Sequence, residues 1–129
     1  MAGQKLSAKV SETVEFLDYM LIQCDHLAHA VEEYASAKKP AQIEGVRQQI
    51  SRDLGRLRQR AMVKNLGVLA DEAGRLGVAA STGGNQMMKT RVLRDGIISL
   101  KASVERFRKA KVDADVAEQK TKAHAGEGE

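Results

Sequence analysis

The stretch VSETVEFLDYMLIQCDHLAHAVEEYA, Val10 to Ala35, decides the fold. Within it Val10, Val14, Leu17, Leu21, Cys24, Ala28, Val31 and Ala35 recur at alternating spacings of four and three. Apolar side chains at that period line one side of a helix, and a run sustained over successive heptads is the seam of coiled-coil-like packing. Phe16, Met20, Leu27 and Tyr34 widen one flank of the stripe, which predicts more than one neighbouring helix. Ser7 and Ser11, followed by Glu12 and Glu15, are candidate N-caps for a helix from about Leu6 to Ala37.

Ala37-Lys38-Lys39-Pro40 ends this helix and starts the next. Lysines suit the negative end of a helix dipole, and proline costs nothing in a first turn, where its N–H would have no helical partner. From Ala41 to about Ala80 a second stripe runs through Ile43, Val46, Ile50, Leu54, Leu57 and Ala61. It continues through Met62, Leu66, Leu69, Ala73, Leu76 and Ala80 after a small phase slip at Ala61–Met62. Gly45, Gly55, Gly67, Gly74 and Gly77 interrupt it, each at a cost of roughly 0.5–1 kcal/mol against alanine. The reading is one long, curved helix whose glycines let a neighbour come close, the alternative being a break near residues 62–67.

Ser81-Thr82-Gly83-Gly84-Asn85 is a loop with Asn85 as the next N-cap. A further stripe, Leu93, Ile97, Leu100, Val104, Phe107 and Lys111, then carries a helix from about Gln86 to Lys111. After Val112 apolar residues thin out, so residues 1–112 are read as the bundle domain and 113–129 as a fraying, disordered charged tail. Short connections force antiparallel neighbours. The fold expected is all-α, an elongated antiparallel three-helix bundle, or a four-helix bundle if the second helix breaks.

Composition narrows the rest. Of the 129 residues 3% are aromatic and one is proline, which disfavours a β-sandwich. Cys24 stands alone, so no internal disulfide forms, and with no signal peptide or bilayer-length apolar run the chain reads as cytoplasmic. Net charge is −2 over residues 1–40, +3 over 41–82 and +3 over 83–129. That asymmetry has two readings: complementary charge between neighbouring helices, or a basic face for a polyanion.

His26, His29 and Glu33 share one side of the first helix at metal-ligand spacings, but they point away from the core, where bundle metal sites are built. Surface residues are the simpler reading, and no metal or cofactor is inferred. Cys24 on the seam reads as a small buried hydrophobe. Arg52, Arg56, Arg58 and Arg60, with Arg91, Arg94, Lys101 and Arg108, lie off the apolar stripes and would suit phosphates, though no aromatic side chain interleaves with them for base stacking. Tyr19 and Ile22, and Met87 and Ile98, are apolar on the outer side of their helices, with Val112 and Val116 continuing the second group. They mark a surface for self-association or a partner protein. No phosphate-loop, dinucleotide, C-x-x-C or H-E-x-x-H pattern occurs. The chain thus reads as a non-enzymatic adaptor or scaffold, with a nucleic-acid-associated helical subunit as the alternative.

Overall fold

The computed structural model describes residues 6–127, with side chains through Thr121. Four helices follow in order: α1 Ala8–Ser36, α2 Pro40–Val63, α3 Gly67–Ser81 and α4 Gln86–Glu127. Each packs on the two beside it, α1 and α3 both lying between α2 and α4, with α1–α4 and α2–α3 the closest pairs. Among the described residues there is no strand, and no helix is long and apolar enough to cross a membrane.

A break at Lys64-Asn65-Leu66 corrects the three-helix expectation and gives the four helices of its alternative. Asn65 takes a left-handed conformation with φ 61°. Its N–H donates to Met62 O at 3.0 Å, and the Leu66 N–H reaches back to Ala61 O at 2.9 Å. This is a Schellman stop, in which a left-handed residue lets two outgoing N–H groups satisfy the last helical carbonyls. Leu66 and Ala61 are both buried, which supplies the apolar contact such a stop favours. The stripe's phase slip marks this junction. Asparagine tolerates φ > 0 better than any residue but glycine. Asn65→Val should therefore cost roughly 1–2 kcal/mol in urea unfolding while Asn65→Gly costs none. Equal losses in the two variants would mean that the turn is not held by this conformation.

The glycines divide into two groups. A Cβ at Gly74 would stand 2.9 Å from Arg58 Cδ, and one at Gly96 would stand 2.0 Å from Leu76 Cδ2, so here the helices do approach closely. Nothing lies within 4 Å of a Cβ at Gly45, Gly55 or Gly67, and close approach does not explain those three.

The core follows the stripes apart from a rotation of α1 and Met62, which is exposed at the end of α2. On α2, α3 and α4 the buried residues include Ile50, Leu54, Leu57, Leu69, Ala73, Leu93, Leu100 and Val104, as their spacing predicts. On α1 the buried line is Val14, Leu17, Met20, Cys24, Leu27, Val31 and Tyr34. Ala28 and Ala35 of the expected seam are exposed and Leu21 is half-buried. The helix has turned toward its larger flank, because Met20, Leu27 and Tyr34 remove far more apolar area from water than two alanines.

Neighbouring helices cap one another's ends. Ser7 is the N-cap of α1, its Oγ accepting from the Val10 N–H at 3.4 Å, and its own N–H donates to Asp115 Oδ2 of α4 at 2.9 Å. Gln86 Nε2 donates to Tyr34 O and Ala37 O at 2.8 and 2.9 Å, closing the other end of α1. The last carbonyls of α3 meet two cations: Arg47 Nη1 donates to Ala80 O at 2.8 Å and Lys89 Nζ to Ala79 O at 2.6 Å. Positive charge is favourable at that end of the dipole. Burial, and then the nearby Arg47 charge, pull the Lys89 ammonium below its ordinary range. Asn85 caps α4, its Oδ1 accepting from the Met87 N–H at 2.8 Å. Among the described residues no buried side-chain polar atom lacks a partner.

α4 crosses residue 112 without a break and stays helical to Glu127. The buried Asp115, anchored on α1, holds the stretch where apolar content falls. The expected fraying, disordered tail over 113–129 thus falls on this helix as far as Glu127, and residues 128–129 lie outside the described residues.

Candidate interaction surfaces

Three charge pairs join α1 to α4. Arg94 Nη2 meets Glu32 Oε1 at 2.7 Å, Lys101 Nζ meets Asp25 Oδ1 at 2.9 Å, and Arg108 Nε meets Asp18 Oδ1 at 2.7 Å. Both sets recur every seven residues and run in opposite directions, so the pairs form a ladder between antiparallel helices. The Arg94 hydrogen bond holds the Glu32 carboxyl below its usual range, and the Asp25 hydrogen bond raises Lys101. Pairs as open to water as these add little stability individually, but together they specify orientation. Arg94, Lys101 and Arg108, three of the eight residues expected to suit a polyanion, are thus each paired with a carboxylate of α1.

Of the other five, Arg60 Nη1 donates to Tyr19 Oη at 2.7 Å, and its guanidinium carbon sits 5.4 Å from the Tyr19 ring centroid. Arg58 lies across Gly74. Arg56 reaches Asp53 only at 4.0 Å. Arg52 and Arg91 are exposed. The basic residues thus divide between two helices, with α2 holding the larger share that α1 does not neutralise.

The apolar candidates separate in the same way. Tyr19 is half-buried beneath Arg60 and 5.7 Å from the Phe16 ring, so it belongs to the α1–α2 contact and not to an open outer face. Ile22, Met87 and Ile98 are exposed as expected, and Val112 and Val116 are half-buried. Met88 and Val92 were missed. They are one helical turn apart on the side of α4 toward α3, beside a hollow bordered by Ala79, Gly83 and Gly84. Their i, i+4 spacing outside the core stripe was the signal. Together Met87, Met88, Val92 and Ile98 are 80%, 69%, 50% and 63% exposed. They stand within three turns of one helix.

His26, His29 and Glu33 are exposed on α1, and among the described residues no three His, Cys, Asp or Glu side chains gather as a metal ion requires. Cys24 is fully buried. Burial first, and then the Asp25 charge, push its thiol up to about 11, so little nucleophilic thiolate forms at neutral pH. Comparison with known protein families, with characterised proteins and with solved structures gives no match.

Proposed function

We propose that this chain is a non-enzymatic helical scaffold, at work in a reducing cytoplasm, that acts by docking other protein chains on its surface. The observation that carries the reading is the outer side of α4, where Met87, Met88, Val92 and Ile98 are each half or more exposed. Scattered single apolar residues are ordinary on a surface, whereas four within three turns of one helix mark a contact site. Arg91 and Asp95, exposed between them, supply the polar margin that gives such a contact its register.

Site-specific photo-cross-linking in cells tests this. A photoreactive side chain in place of Val92 should yield discrete protein adducts, and Ile98→Glu in the same chain should abolish them while circular dichroism stays unchanged. The reading fails if position 92 gives no adduct. If a probe at Arg52 instead captures nucleic acid, the basic side of α2 is the working surface.

A further inference from the structure

The lower end of α2 carries an apolar shelf ringed by charge. A hollow of about 370 Å³ is lined by Phe16 of α1 and by Arg56, Gln59, Arg60, Val63 and Lys64 of α2. Val63 stands 76% exposed at its edge, a large apolar side chain at the last position of a helix whose partner continues past it. Among the described residues neither Arg60 nor Lys64 has a carboxylate partner, and Arg56 reaches one only at 4.0 Å.

The acids that would complement these cations belong to the same surface. Glu12 lies one turn before Phe16 on the same flank of α1, and Glu15 lies beside it. Both are exposed, and neither is in an ion pair among the described residues. With Phe16 and Val63 at its centre, Glu12 toward one end and Arg56 toward the other, this face is complementary to itself.

The Arg60–Tyr19 hydrogen bond sets the relative register of antiparallel α1 and α2 and places Val63 about level with Phe16. From that centre Arg56 lies seven residues away in one direction, about 10 Å, and Glu12 four residues away in the other, about 6 Å. A two-fold axis through the Phe16–Val63 centre, perpendicular to the helices, reverses their direction. It lays the Glu12 end of one copy over the Arg56 end of the other, and does so twice.

We propose that this shelf is an isologous two-fold interface on which a second copy of the chain docks. Phe16 of each copy meets Val63 of the other at the centre, with Glu12–Arg56 pairs on either side. The inference rests on the reading of the chain as a scaffold but uses a different face from the exposed side of α4. Burial of Val63 and Phe16 supplies the affinity, and the charge pairs fix the orientation.

Sedimentation equilibrium of the full chain at high micromolar concentration is the test. The wild type should have the mass of two chains, and Val63→Glu the mass of one with unchanged helix content. Glu12→Lys and Arg56→Glu should each weaken the dimer by about 10-fold or more, and the double variant should recover most of that loss, because the swapped charges again face each other. Ile98→Glu should leave the dimer intact. A wild-type mass of one chain, a Val63→Glu dimer, or a double variant no better than the singles overturns the proposal. So does an Ile98→Glu variant that becomes monomeric, which would assign the contact between copies to α4 instead. Absence of any adduct from position 92 in the otherwise unaltered chain, with the dimer intact, would reject the α4 reading alone.

Discussion

Leu54→Ala should lower unfolding stability by about 2–5 kcal/mol, a fall in Tm of roughly 10–20 °C for a chain of this length. Leu54 is fully buried on α2 and faces α3, where a Cβ at Gly77 would stand 3.6 Å from Leu54 Cβ, in van der Waals contact. Because the two backbones are already close, they cannot move inward to fill the space left by the lost methyl groups. The cavity term therefore adds to the transfer term. Leu21→Ala is the internal comparison. Its half-buried position should limit the loss to about 1–2 kcal/mol. Urea unfolding of both variants checks the pair, and a Leu54→Ala loss below about 1 kcal/mol would show that the α2–α3 contact is open.

Alkaline solution should destabilise the wild type by something of order 2–3 kcal/mol, and Cys24 is the reason. Its thiol is pushed up to about 11 in the folded chain from an ordinary value of 9.0. A folded pKa raised above the unfolded one means that the native state binds the proton more tightly. Stability from this group is complete below about 9 and declines as pH rises toward about 11, by about 1.4 kcal/mol per unit. Buried Tyr34, whose phenol is also raised by burial, acts in the same direction. Lys89, depressed by burial, acts in the opposite direction. Measuring urea midpoints at pH 8 and pH 10.5 for wild type and Cys24→Ala isolates the thiol. The difference between the two pH values should shrink in the variant. An equal difference in both proteins would remove Cys24 from the explanation.

Much of this fold is legible in the sequence because helical periodicity reports burial directly. The stripes through Leu54 and Leu57, and through Leu93, Leu100 and Val104, are the core of their helices. Pro40 and Asn85 begin helices where their chemistry requires it. The break near residues 62–67 was legible as the alternative, from the phase slip at Ala61–Met62, but the residue that makes it was not: the glycines drew attention, while the left-handed turn is taken by an asparagine. Which flank of α1 is buried was hidden because a period fixes a face only to within one residue's rotation, and side-chain volume decides the remainder. Surface assignments were harder. Arg94, Lys101 and Arg108 looked like free cations until their spacing of seven was set against Asp18, Asp25 and Glu32 on the antiparallel helix. The outward positions of Ile22, Met87 and Ile98 were legible, whereas Tyr19 was drawn under Arg60 by a contact between helices that no single-helix pattern contains.

The ladder between α1 and α4 also acts as a proofreading device. These two helices are joined only through the whole α2–α3 hairpin, so no short loop stops one sliding along the other by a heptad. If α4 slides one way, Glu32 meets Lys101 and Asp25 meets Arg108, but Asp18 is left facing Asp115, and the carboxylate that anchors Ser7 is carried away from it. If it slides the other way, Asp25 meets Arg94 and Asp18 meets Lys101, while Glu32 faces the thioether of Met87 and Arg108 has no acid opposite it. Each slipped alignment thus loses a rung, and the three pairs are satisfied together only in the alignment where Asp115 also closes the start of α1.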